Sequence, residues 1–239
     1  MLSTLRDAWR IPEIRKKIVF TFFMMLVFRI GSAIPVPYMN KAMIAEIFAG
    51  NQGSMLQFLD MMAGGNFSNF TIFAANIYPY ITASIVIQLL TFAIPALEEL
   101  SKEGEEGRKK IQKYTQITAI ALAFVQAIGY TFGLFKGALE TTTALQNIVV
   151  ILSIVGGTSF LVWIGNQITE HGIGNGISLI IFLGIVGRMP VDIKNMYLGI
   201  INGTVNPIAA VLFAVFAVFV VFVVVALNEG ERRIPVQYA

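Results

Sequence analysis

Gly172, Gly174 and Gly176 follow Glu170 and His171, a spacing that imitates part of the glycine fingerprint cradling a dinucleotide pyrophosphate. That loop works only where a strand leads into it and a helix N-terminus faces the phosphates. Here strongly apolar helical stretches flank it on both sides, so the glycines read as a compact turn between two helices, with Asn175 or Ser178 placed to cap the second. His171 and Glu170 supply one imidazole and one carboxylate, and no nucleophile or oriented base can be placed beside them for acid–base work. The chain has no cysteine and one histidine, which excludes thiol catalysis, disulfides and multi-histidine or cysteine-ligated metals. The sequence therefore assigns no catalytic residue, metal ligand or cofactor.

A proton- or ion-driven carrier commonly keeps a charge inside the bilayer. No Asp or Glu falls in the middle of any strongly apolar stretch, and Asp60 lies before the second one. That second stretch instead carries Asn76, Tyr78, Tyr80, Thr82, Ser84 and Gln88, with Pro79 among them. A proline there removes a helical amide and predicts a kink. Ile77, Ile81, Ser84 or Ile85, and Gln88 recur at helical spacing, so one side mixes aliphatic and amide groups, as suits a bundle interior or a water-accessible path. The interrupted helix also fits a fragment of a secondary transporter with a broken-helix solute or ion site. A pore-less assembly scaffold is a third reading.

The elements that must position these residues are membrane helices. Hydrophobic residues make up 56% of the 239 and charged ones 13%, values of the membrane class that leave little room for a soluble domain. Six stretches read as spans, near 18–35, 70–95, 114–135, 145–168, 173–190 and 207–227. The apolar run 173–186 is short and contains Gly174, Gly176 and Gly184, which predicts a tilted helix lining a protein-walled space. Gly156, Gly157, Thr158 and Ser159 favour close helix packing in the fourth span. The fold class is all-α and multi-pass.

Twelve of the 17 Lys and Arg fall on one side if each stretch crosses once: five precede the first span, five lie between the second and third, and Arg232 and Arg233 follow the sixth. The positive-inside rule makes that side, and both ends of the chain, cytoplasmic. Residues 1–17 read as an amphipathic cytoplasmic segment rather than a cleavable signal, because Asp7, Pro12 and Glu13 interrupt the required pattern. Outside, 36–54 reads as an external segment with a short surface helix from Ala42 to Phe48. Residues 55–69 form a second short helix around Met55 to Met62 that cannot span and must lie at the interface or fold back into the protein. The 96–113 loop interleaves five Glu with five Lys or Arg, as either a solvated connection or a docking surface. Residues 169–176 form a cytoplasmic turn, 191–206 an external loop, and 228–239 the start of another cytoplasmic loop.

Several long motifs now converge. The run Ile-Phe-Ala-Ala-Asn-Ile-Tyr-Pro-Tyr-Ile-Thr-Ala-Ser-Ile-Val-Ile-Gln-Leu-Leu from Ile72 to Leu90 resembles the second span of the SecY family of bacterial protein-conducting channels. Gly31 to Pro37 resembles the end of its first span, and Glu103-Gly104-Glu105 with Gly107-Arg108-Lys109-Lys110-Ile111 its following loop. Gln167 to Ser178 and Glu231 to Ala239 extend the likeness over nearly the whole chain.

The resemblance implies a passive conduit that passes unfolded polypeptide across the membrane and releases hydrophobic segments sideways into lipid, with ten spans in two inverted halves of five. This chain ends after about six, and reads as an amino-terminal fragment or one piece of a split channel. Carried over residue by residue, the pore ring is Ile77, Ile81, Ile177 and Ile181, and the plug comprises Met55, Leu56, Phe58, Leu59, Met61, Met62, Gly64, Gly65, Asn66 and Phe67. Thr82, Ile85, Gln88 and Gln126 fall in the lateral gate, and Arg108, Lys109, Lys110, Arg232 and Arg233 are partner-binding candidates. Implied partners are the small membrane subunits SecE and SecG, the SecA ATPase or the ribosome, signal peptides and nascent polypeptides, membrane lipid, and a separate carboxyl half. Asn66, Asn69 and Asn76 depart from the family's more apolar pattern.

Overall fold

The computed structural model describes residues 11–50, 55–140 and 143–230, which fall in two compact units, Met1–Arg188 and Met189–Ala239. Among the described residues the regular structure is helical, with isolated bridges joining Pro35 to Thr71 and Met39 to Leu139. Helix α1 (Pro12–Gly31) opens on a proline, whose missing amide costs nothing in a first turn. Asn40 then caps α2 (Lys41–Gly50), its Oδ1 accepting from the amides of Ala42 at 2.9 Å and Met43 at 3.2 Å. The short α3 (Met55–Met62) leads through tight turns to α4 (Tyr78–Ala93), α5 (Pro95–Lys102) and α6 (Glu105–Ile128), which a π-helical turn extends to Leu134. Thr143 and Gln146 form a capping box on α7 (Ala144–His171). Helix α8 (Gly176–Ile201) starts on Asn175, whose Oδ1 accepts from the Ser178 amide at 3.1 Å. Asn206 caps α9 (Pro207–Glu229) in the same manner.

Four sequence expectations need correction. The helix expected over 70–95 begins only at Tyr78, so Pro79 sits in its first turn and produces no kink. The break comes at Ile94, where Pro95 denies the chain its next amide and α4 and α5 diverge by 102°. Residues 96–113 are not an open loop: α5 and the start of α6 fill them, supported by i,i+4 pairs of Lys102 with Glu98 at 2.6 Å and Lys109 with Glu105 at 3.0 Å. Nor is the fifth apolar stretch short. Helix α8 runs 26 residues, and the charged Arg188, Asp192 and Lys194 had disguised its continuation through Pro190.

Six crossings were expected. Among the described residues four helices are long and apolar enough to span, or five if the bent α4–α5 pair counts as one. The shortfall is α1, whose 20 residues include Arg15, Lys16, Lys17 and Arg29.

Within the first unit α7 is the central post, burying ten residues around its circumference and packing on α1 and α6. Helix α4 lies along α6, burying Ala83 and Ile87, while α6 buries Thr115, Ala119, Ala123 and Ala127 at four-residue intervals. Such a small-residue stripe lets two backbones approach closely, which in lipid is a main source of helix association. Two apolar clusters result. One is aromatic, with Phe67, Phe70 and Phe135 fully or nearly fully buried and meeting edge to face at 4.9 to 5.3 Å. The other is mainly aliphatic, joining α1, the start of α4, α7 and α8. In the second unit, α9 buries Ala210 alone and is apolar on all sides, the pattern of a helix solvated by lipid.

Candidate functional site

The four isoleucines singled out by the sequence belong to one cluster. Ile77, the residue before α4, is fully buried; Ile81 follows one turn later and is half-buried. Ile177 and Ile181 sit one turn apart near the start of α8, also half-buried. Around them close Met24 and Phe28 of α1, Phe73, Leu161, Ile164 and Ile168, and Ile180. The glycine turn that imitates a nucleotide site does the positioning. A side chain at Gly176 would strike the Gly165 carbonyl, so α7 and α8 can touch backbone to backbone and Ile177 is set beside Gly165.

The plug candidates divide by exposure. Met55, Phe58 and Met61 face outward, Leu56, Leu59, Met62, Gly64 and Gly65 are half-buried, and Asn66 and Phe67 are buried. Phe67 anchors the aromatic cluster, 5.1 Å from Tyr130 and 5.3 Å from Phe135. Within the turns from Ala63 to Ile77 the Thr71 hydroxyl donates to Asn66 Oδ1 at 3.3 Å, the Tyr78 hydroxyl that follows them donates to the Leu59 carbonyl of α3 at 3.2 Å, and Asn76 Oδ1 is buried without a partner among the described residues. Asn76 has a left-handed backbone, φ 51°, and its side-chain amide donates to the Met62 carbonyl at 3.4 Å. Its departure from an apolar residue is thereby explained, since Asn adopts that conformation more readily than an aliphatic residue.

Two functional candidates escaped the sequence reading. Asp60 is buried on α3 and pairs with Arg188 of α8, 128 positions away; its second oxygen accepts from the Ser68 amide at 2.7 Å. The only sequence signal was a carboxylate within an apolar octapeptide and an arginine following an apolar run.

Thr82, Ile85 and Gln88 are exposed on α4, together with Val86, Leu89 and Phe92, on the face turned away from the buried Ala83 and Ile87. Gln126 is not brought to them by any bond of its amide oxygen, which is buried on α6 without a partner among the described residues. Arg108, Lys109 and Lys110 are exposed at the start of α6, but Lys109 meets Glu105 and Lys110 meets Glu103 at 3.3 Å, so the patch is of mixed charge. Arg232 and Arg233 lie outside the described residues. No group of three or more His, Asp or Glu side chains gathers to hold a metal among the described residues.

The SecY family model matches residues 71–239, well over half of the chain. The chain belongs to the SecY family. Protein translocase subunit SecY of Aquifex aeolicus is 41% identical over 246 residues, and that of Thermotoga maritima 40% over 250; each match covers the whole of this chain and 57% of the relative. The Escherichia coli K12 protein is 41% identical, over 95% of this chain and 52% of its own length. The chain thus spans little more than half the length of these relatives. Among solved structures, Sec61 in a canine ribosome–channel complex from the endoplasmic reticulum superposes with a TM-score of 0.67 at 22% identity, covering 97% of this chain and 54% of that one. A SecY structure concerned with the plug domain superposes with a TM-score of 0.64 at 23% identity, covering 96% and 52%. The fold is therefore that of the first part of a SecY channel, an all-α multi-pass protein of the bacterial cytoplasmic membrane. Membership of the SecY family sets the carrier reading aside, and Pro79, one of the features that suggested it, lies in the first turn of α4.

Proposed function

We propose that this chain is the amino-terminal half of a protein-conducting channel subunit, supplying one side of the pore ring, the plug and one face of the lateral gate, and that it is not an enzyme. The observation that carries this is the gathering of Ile77, Ile81, Ile177 and Ile181 in one apolar cluster that joins the start of α4 to α8, with a short helix that does not span preceding α4 in the chain. Aliphatic groups offer no hydrogen bonds, so a narrow ring of them disfavours a continuous file of water or ions and yet discriminates little among passing side chains. Three of the four are only half-buried within this chain, which leaves surface for a passing polypeptide and for the other half of the ring. The outward face of α4, with Thr82, Ile85 and Gln88, is the surface on which a carboxyl half would close, and Gln126 contributes from α6. Paired polar groups across such a seam are worth roughly 1 kcal/mol each, enough to bias closure and weak enough to open.

The same reading assigns SecE and SecG as bracing subunits, and SecA or the ribosome as the cytoplasmic partner at Arg108, Lys109, Lys110, Arg232 and Arg233. Signal peptides, nascent polypeptides and membrane lipid meet at the α4 face.

Photo-cross-linking in the assembled channel tests this. A photoreactive residue at Ile81, Ile177 or Ile181 is expected to give an adduct with an arrested polypeptide, while one at Val215 of α9 gives lipid adducts. Polypeptide adducts at Val215 and none at the isoleucines would reject the assignment.

A further inference from the structure

The Asp60–Arg188 pair lies outside the isoleucine cluster and the exposed face of α4, and its setting is unusual. The Asp60 side chain is 2% exposed and that of Arg188 26%. One carboxylate oxygen meets the guanidinium and the other accepts from the Ser68 amide, so a single charged group ties α3, the turn that follows it, and α8. Backbone packing supports the same junction. Gly64, at φ 68°, lies so close to α8 that a Cβ there would come within 2.6 Å of the Gly184 carbonyl oxygen. The α8 side is braced independently, since Arg29 of α1 donates to the Leu183 carbonyl at 3.0 Å and fills the notch left by Gly187.

We propose that Asp60 and Arg188 are positioning residues forming a charged latch, which holds α3 and the turns through Asn69 against α8, the helix that carries Ile177 and Ile181. Removing the Arg188 charge leaves the buried Asp60 carboxylate without that guanidinium, and the segment must then move to solvate it. The ion pair and the close approach of Gly64 to Gly184 together hold this segment to α8. Phe67 inside the segment and Phe70 just after it are buried in the aromatic cluster and keep the segment tethered when the latch opens. That opening the latch also opens a pore rests on the channel reading above; the docking itself does not.

Hydrogen exchange of the chain reconstituted in liposomes tests the latch through the amides of Ala63, Gly65, Ser68 and Asn69, all bonded within the segment. Asp60→Asn and Arg188→Gln should each speed their exchange about tenfold, and the double variant should be no faster than either single one, because both remove the same interaction. Arg188→Lys should restore most of the protection. Gly64→Ala, which keeps both charges but cannot fit against Gly184, should release the same amides. Unchanged exchange in both single charge variants, multiplicative effects in the double variant, or an equal rise in α7 amides would each overturn the proposal. Release of the amides without any gain in ion leak through an assembled channel would uphold the latch and count against the plug reading instead.

Discussion

The aromatic cluster and the isoleucine cluster are both apolar and both touch the 63–77 turns, yet they are built to different ends. Phe67, Phe70 and Phe135 are sealed edge to face, with partners on every side. Ile81, Ile177 and Ile181 rest on a buried floor of Phe28, Phe73, Leu161 and Ile164 and keep one side open. Rings that interlock in this way gain packing energy beyond their area and cannot separate gradually. Aliphatic side chains standing on a floor can lose one neighbour and gain another at little cost. One cluster fixes the fold, and the other presents a surface.

The largest effect that distinguishes them should come from Phe135→Ala. Removing a fully buried ring is expected to cost about 3–5 kcal/mol, read as a shifted unfolding midpoint in mixed micelles. Gly64→Ala should cost about 1–3 kcal/mol through its left-handed backbone and the Gly184 contact, visible in the same titration and as faster exchange of nearby amides. Ile181→Ala should cost only about 1 kcal/mol, because the side chain is half-exposed, while raising ion leak through an assembled channel. A cost comparable to that of Phe135→Ala would erase the contrast. Smallest is Gln88→Leu on the open α4 face, expected to leave stability within about 0.5 kcal/mol but to shift how readily hydrophobic segments enter lipid.

The membrane class and the short helix over Met55–Met62 were legible because apolar runs and their lengths are local properties. So was a cap at Asn175 or Ser178, of which Asn175 is the one that accepts. Helix boundaries around prolines were not. A proline reads identically whether it breaks a helix or starts one: Pro79 only starts α4, while Pro95 both ends α4 and starts α5. The isoleucine set needed the family likeness, since i,i+4 aliphatics mark ordinary core as readily as a pore. Asp60 and Arg188 stayed hidden for a different reason: a pair separated by 128 positions has no periodicity, and each charge alone looked like an interruption of an apolar run.

The most direct test of the central claim is a structure of the assembled channel holding an arrested polypeptide. The account predicts the Ile81, Ile177 and Ile181 side chains within van der Waals reach, about 4 Å, of the translocating backbone. Finding those three side chains against acyl chains, with the polypeptide following another path, would contradict it.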